Sequence, residues 1–198
     1  MPLIPTPGAS YGAARSRAPP CRRPVQPDLE TRRLHLRPWR LDDLEFCVAM
    51  NMDPDVGRYL FPHGAPVEAE QREIWHEKIS SDWPPLGAIW AVEWADERKI
   101  LGWCGLFPLE ASGLIEIGYR YLTATWGKGV ATEAAMRVLD YGFREFAFDP
   151  IVAVTHPENS GSQQVLRKIG LKSGGLQYHY GLDLSFFSRS RDDYLTSQ

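Results

Sequence analysis

A short glycine-rich segment, Trp126-Gly127-Lys128-Gly129-Val130-Ala131-Thr132, sits between a strand pattern and a long helix pattern. Before it, Leu114–Leu122 alternates, with Ile115, Ile117, Tyr119 and Tyr121 on one face and Glu116, Gly118 and Arg120 on the other. After it, Ala135, Val138, Leu139, Phe143 and Phe146 recur at three- and four-residue steps, which predicts an amphipathic helix. A strand running straight into such a helix calls for a sheet packed against helices. Closely spaced glycines at a helix start let backbone N–H groups approach a ligand, and the helix N-terminus favours an anion. A phosphate or pyrophosphate is the natural occupant, with Lys128 adding charge.

The flanking text fills in the architecture. Arg33-Leu34-His35-Leu36-Arg37 alternates until Pro38 stops it, predicting a short strand. Leu41, Leu44, Cys47 and Val48 recur at helical spacing, with Asp42 as an N-cap or first-turn acid, up to Asp53-Pro54. Residues 53–66 form a Pro/Gly-rich loop long enough to be functional. A second helix opens after Pro66, with Ile74 and Ile79 on its apolar side. Residues 88–94 and Ile100–Phe107 read as a hairpin around Asp96-Glu97, and 151–155 as a strand covered on both faces. Asn159–Ile169 is a short helix stopped by Gly170, and Leu171 to Phe187 holds two strands joined around Gly181. The fold class expected is α+β, a mixed sheet with helices on its faces.

Charge and composition narrow the classes. Residues 1–27 carry Arg15, Arg17, Arg22 and Arg23 and no acid, are rich in Pro, Gly and Ala, and lack periodicity. The expectation is a disordered tail over 1–28 and one domain over 29–198, because such a segment buries too little apolar surface to offset ordering. No apolar run reaches the length of a membrane span. The net charge of −3 argues against nucleic acid as the main partner. Three scattered cysteines fit neither a disulfide framework nor a zinc site, and the histidines lack ligand spacing, so no metal is expected and a cytoplasmic location is.

Three phosphate-binding designs compete for the loop. A nucleoside-triphosphate loop needs a glycine where Leu122 stands and Ser or Thr where Gly129 stands. A dinucleotide fingerprint needs a third glycine at Thr132 and an acid after the next strand, whereas Asp149 precedes that strand. The third fits. Glu116-Ile117-Gly118-Tyr119 followed by Trp126-Gly127-Lys128-Gly129-Val130-Ala131-Thr132-Glu133-Ala134 resembles the acetyl-coenzyme-A loop of the GNAT N-acetyltransferase superfamily. Trp126 stands where Gln or Arg is usual, as in the branch resembling the ribosomal-protein-alanine (RimJ/RimL-type) acetyltransferases. Asn159-Ser160-Gly161-Ser162 with Val165-Leu166-Arg167-Lys168-Ile169-Gly170-Leu171, and the opening Leu29-Glu30-Thr31-Arg32-Arg33-Leu34, resemble further segments of that branch, in order.

The resemblance implies a mostly antiparallel central sheet splayed in the middle, with helices on both faces. It implies acetyl-CoA as co-substrate and an amine acceptor, either a protein N-terminus or a small molecule. Free backbone groups around Tyr121, Leu122 and Thr123 would hold the pantetheine arm, and the loop Trp126 to Thr132 the pyrophosphate. Glu116 is the implied base, Asn159 a cofactor ligand as well as a helix cap, and Ser162 a substitute for a thiolate-protonating tyrosine absent at Leu166. Tyr59, Phe61, His63, Trp75 and Tyr178–Tyr180 lie on segments that wall the acceptor site in relatives, whereas Cys104, Trp90, Trp94 and Trp103 read as packing. A non-catalytic acyl-CoA-binding module and a nicotinamide-dependent oxidoreductase stand as rival readings.

Overall fold

The computed structural model describes residues 26–61, 64–81, 84 and 86–197. Eight strands form one sheet in the order β1-β2-β3-β4-β5-β6-β8-β7. They are β1 (Leu29–Glu30), β2 (Leu34–Pro38), β3 (Ala88–Trp94), β4 (Ile100–Pro108), β5 (Ile115–Tyr121), β6 (Ile151–Thr155), β7 (Lys172–His179) and β8 (Leu182–Arg189). All neighbours are antiparallel except β5 and β6. The helices are α1 (Leu44–Met52), α2 (Pro54–Gly57), α3 (Glu68–Ser80), α4 (Val130–Arg144), α5 (Ser160–Lys168) and α6 (Arg191–Thr196).

Strand alternation sorts the core onto two faces. Cys104 and Leu106 of β4 and Ile117 and Tyr121 of β5 pack with Ala134, Val138, Leu139 and Phe143 of α4. Each such large side chain removed from water contributes about 1.5–3 kcal/mol. The next residues along, Trp103 and Phe107, point the other way and join Cys47 and Met50 of α1 and Trp75 of α3. Glu116, Gly118 and Arg120 share that second face, by alternation along β5. Gly118 is required there, because a Cβ would stand 2.6 Å from the Phe107 ring.

Four expectations need correction. Within the predicted tail, Gln26 Nε2 donates to the Ile89 carbonyl at 2.9 Å, the Pro27 carbonyl accepts from the Trp90 indole at 2.8 Å, and Asp28 meets His35 at 2.7 Å. The sheet therefore fixes the chain from Gln26 onward; residues 1–25 lie outside the described residues. The apolar side of α3 holds for Ile79, which packs beside Trp75, but it is led by Gln71, Trp75 and Lys78, and Ile74 is only half-buried. Phe146 lies beyond the end of α4, stacked on Phe148. The chain ends in α6, six residues too short for periodicity to register.

Candidate functional site

The site begins where two parallel strands part. β5 and β6 pair only at Ile115–Ile151 and Glu116–Val152, after which β5 runs on to Tyr121 and β6 to Thr155 without meeting. The gap opens a cavity of about 550 Å³, bordered by Tyr119–Tyr121, the glycine loop and the start of α5. A smaller chamber of about 80 Å³ adjoins it, lined by Trp103, Phe107, Glu116, Arg120 and, from the loop after α2, Tyr59 and Leu60.

The glycine loop is shaped for an anion. Gly127 and Gly129 have φ of 73° and 78°, a left-handed conformation that costs glycine little. Gly129 caps α4 with no side-chain hydrogen bond, so the N–H groups of Val130, Ala131 and Thr132 keep their donors for a ligand. Glu133 fixes this turn to the sheet edge: it accepts from Thr31 Oγ1 at 2.6 Å and from Arg33 Nε at 2.7 Å, while Arg33 also donates to the Lys128 carbonyl at 3.2 Å. Partial burial pushes the Glu133 carboxyl up, but the donors from Thr31 and Arg33 win and hold it below its usual range. The Thr-Arg-Arg and Thr-Glu-Ala segments are thus two halves of one clasp.

Trp126 is more than half exposed, and its indole donates to the Tyr121 carbonyl at 3.0 Å, which closes the end of β5. Leu122 donates to the Leu101 carbonyl, and its own carbonyl accepts from Thr125. The Thr123 carbonyl accepts from Trp126. The expected free backbone groups at Leu122 and Thr123 are therefore engaged, and neither residue borders the cavity. The edge of β5 that β6 leaves uncovered lies upstream, at 117–121, so Tyr121 alone of the three borders the gap, with its carbonyl already held by Trp126. Lys128 is exposed and does not border it either.

At the point of parting sits Glu116, 4% exposed, accepting from the Tyr180 hydroxyl at 2.8 Å and from the Val154 backbone amide. Burial pushes its carboxyl up to about 8, against the pull of those two donors. Tyr180 reaches it from the β7–β8 turn, a connection that strand alternation within β5 gives no means of finding. On the opposite side of β5, the Tyr119 hydroxyl lies 3.1 Å from Ser162 Oγ and donates to the Ser162 carbonyl at 3.2 Å. Burial raises the Tyr119 phenol and keeps it a neutral donor. Alternation puts Tyr119 on the face of Ile115 and Ile117; past the splay, that face borders the cavity.

Asn159 caps α5 by accepting from the Ser162 amide at 3.0 Å, and its carboxamide borders both spaces. The Tyr59 ring stacks on His156 at 5.1 Å, and its hydroxyl donates to the Glu158 carbonyl, which sets the start of the segment after α2 across the opening. Trp75 is core and Tyr178 is 72% exposed, so neither walls the site; His63 lies outside the described residues. Trp103, expected as packing, lines the chamber. Cys104 is fully buried and burial raises its thiol, as a packing residue should behave.

A family described as the acetyltransferase (GNAT) domain matches residues 33–172, spanning the splay and the glycine loop. The chain belongs to the GNAT acetyltransferase family. Its relatives include an uncharacterised N-acetyltransferase p20 of Bacillus licheniformis, 29% identical over 84% of this chain and 97% of that one. Another is the FsC-acetyl coenzyme A-N(2)-transacetylase of Aspergillus fumigatus, 31% identical over 74% of this chain and 66% of that one. Among solved structures, a GNAT acetyltransferase from Bacillus anthracis superimposes with a TM-score of 0.70 at 25% identity, over 83% and 99% of the two chains. The fold is shared with RimL, a ribosomal L7/L12 alpha-N-protein acetyltransferase in complex with coenzyme A (TM-score 0.69, 15% identity, 84% and 99% covered). It is shared too with a Vibrio cholerae spermidine N-acetyltransferase in complex with CoA and spermine (0.67, 21%, 82% and 98%). This GNAT domain is an acetyl-CoA-dependent acetyltransferase with the expected splayed α+β sheet, eight strands and helices on both faces. Among the described residues, no helix is long and apolar enough to cross a membrane.

Proposed function

We propose that this GNAT domain moves an acetyl group from acetyl-CoA to a primary amine admitted beside Tyr59, with Glu116 as the proton acceptor. The observation that carries the reading is Glu116 itself: buried at the strand parting, hydrogen-bonded to Tyr180, with a carboxyl pushed up to about 8. A primary amine is mostly protonated at neutral pH and must lose that proton before it attacks. A base whose pKa lies near the working pH combines a useful ionised fraction with real basicity.

Acetyl-CoA supplies the activated acyl group. The N–H groups of Val130, Ala131 and Thr132 suit its pyrophosphate, and the edge of β5 that β6 leaves uncovered suits the amide groups of its arm. Asn159 offers a carboxamide on the far wall. Tyr119, paired with Ser162, is the neutral O–H donor on the cofactor side of β5, suited to hydrogen-bond the departing sulfur. Ser162 thereby orients the phenol and is not itself the acid.

The acceptor follows the same logic as the relatives' names, which point to a ribosomal protein N-terminus in one case and spermidine in another. Either class presents an unhindered amine. The test is free-thiol release from acetyl-CoA with an amine panel, comparing wild type with Glu116→Gln. The substitution keeps shape and removes basicity, so turnover should fall by about two to four orders of magnitude. Calorimetric affinity for acetyl-CoA should persist. Wild-type turnover in the variant would return Glu116 to a structural role.

A further inference from the structure

Two buried guanidinium groups in this sheet live in opposite circumstances. Arg37, with its side chain 5% exposed, bonds Asp43 through two nitrogens at 2.7 and 2.9 Å and Glu93 at 2.6 Å. That is what the fold provides when an arginine serves structure. Arg120 is 7% exposed and lines both the small chamber and the larger cavity. Among the described residues its side chain has no hydrogen bond or ion pair: the Nε is buried without an acceptor, and the guanidinium carbon lies over the Trp103 ring, 5.8 Å from its centre.

The neighbours do not repair this. The Trp103 indole nitrogen, in the same chamber wall, is a second buried donor with no acceptor. Both groups are donor-only, so what is missing is an acceptor and not another donor. Burial pulls the Arg120 ionisation down to about 9. Glu116, on the same face of β5, supplies little counter-charge near neutrality because its own carboxyl is pushed up to about 8. An unpaired buried charge is costly to keep, and burying it beside a carboxylate offsets that cost.

We propose that Arg120 receives a carboxylate carried by the acceptor, so that the substrates are amines bearing an acid group, amino acids among them, and not polyamines. The proposal rests on the acetyl-transfer reading above and names its substrate class. Arg120 and Glu116 stand four residues apart on one strand face, roughly 13 Å between Cα atoms. Their side chains share a chamber of about 80 Å³. The space between the two head groups therefore suits a compact molecule with its amine and carboxylate a few bonds apart, the amine toward Glu116. The guanidinium fork would bind the carboxylate at two points, and the Trp103 N–H is available to one of its oxygens.

The experiment measures thiol release from acetyl-CoA with the common amino acids, with their amides, and with spermidine, using wild type, Arg120→Met and Arg120→Lys. The expected result is that an acid outperforms its own amide by about a hundredfold in kcat/KM, mostly through KM, and outperforms spermidine. Arg120→Met should collapse the acid-to-amide ratio toward one, with Arg120→Lys between, while calorimetric affinity for acetyl-CoA holds. Equal rates for acids and amides, or a preference for spermidine, would overturn the proposal and leave the transferase standing. So would a loss of acetyl-CoA affinity in Arg120→Met with the ratio intact, which would give the guanidinium to the cofactor. If no amine releases thiol, the transferase reading fails by itself. Calorimetric titration of the same acids and amides onto the CoA complex then decides: acid binding that Arg120→Met abolishes supports the anion site, and no acid preference overturns it. If Arg120→Met does not fold, the wild-type acid-to-amide ratio decides alone.

Discussion

Tyr180 accepts a backbone conformation that a bulky residue normally avoids, with φ of 53°, and Gly181 follows at 80°. His179 pairs with Leu182, so these two residues make a two-residue hairpin turn whose left-handed geometry matches strand twist. Holding a tyrosine there costs about 1–2 kcal/mol. Glu110 secures it by accepting the Tyr180 amide at 3.0 Å and meeting His179 at 3.0 Å. The return is a hydroxyl donating to Glu116, a donor that favours the ionised carboxylate. Tyr180→Phe removes that donor, so burial acts with less opposition and the Glu116 pKa should climb by about one unit. The rising limb of the pH–kcat profile should move to higher pH by the same amount, with slower turnover at pH 7. An unmoved limb would detach the hydroxyl from the chemistry. Alternation along one strand puts Glu116 on the face opposite the tyrosines, and the family resemblance makes it the candidate base. Neither signal reveals the bond to Tyr180, because 64 residues and a hairpin separate the two.

At the scale of elements, the glycine loop and α4 act as one unit clasped by β1 and β2 through Glu133, Thr31 and Arg33. Gly129 is the hinge of that unit: its φ of 78° disfavours any β-branched residue, and a Cβ would meet the Arg33 guanidinium at 3.4 Å. Gly129→Val should therefore destabilise the fold by about 1–3 kcal/mol and weaken acetyl-CoA binding at least tenfold. Glu133→Gln should loosen the clasp, lowering the melting temperature by a few degrees and acetyl-CoA affinity more mildly. Chemical denaturation and calorimetry together separate these effects; unchanged affinity in Gly129→Val would sink the loop assignment. The strands, α4 and the loop were legible because periodicity of two or 3.6 and paired glycines are local signals. The splay was expected only through family resemblance, because strand parting depends on where β6 and α5 lie, and no local pattern records that. For the same reason Leu122 and Thr123 looked available: their hydrogen bonds go to Leu101, Thr125 and Trp126, partners set by the turn itself. The inward face of α3 was only partly legible because two polar side chains, Gln71 and Lys78, are buried on it beside Trp75 and Ile79.

For the molecule as a whole, the buried titratable groups at the site set stability as well as chemistry. The Glu116 carboxyl is raised by burial from 4.5 to about 8 in the folded chain. Between those values the folded state holds a proton that the unfolded chain has lost. Its contribution is therefore complete below about 4.5 and is lost as pH rises through about 8, with a slope up to ~1.4 kcal/mol per pH unit. Lys78 runs the other way: burial pulls it from 10.5 down to about 7, so above pH 7 the unfolded chain binds the extra proton and stability rises with pH. The raw stability profile mixes both, and only a comparison isolates the glutamate. Glu116→Gln stays neutral in both states and keeps every other titration. The stability of wild type relative to this variant should therefore decline steadily from pH 5 to pH 8, by about 3–4 kcal/mol in all. Urea midpoints for the two proteins across that range provide the measurement. Parallel curves would mean that Glu116 is already ionised throughout the folded state at pH 5, and a carboxylate so acidic would be a poor proton acceptor for an ammonium group.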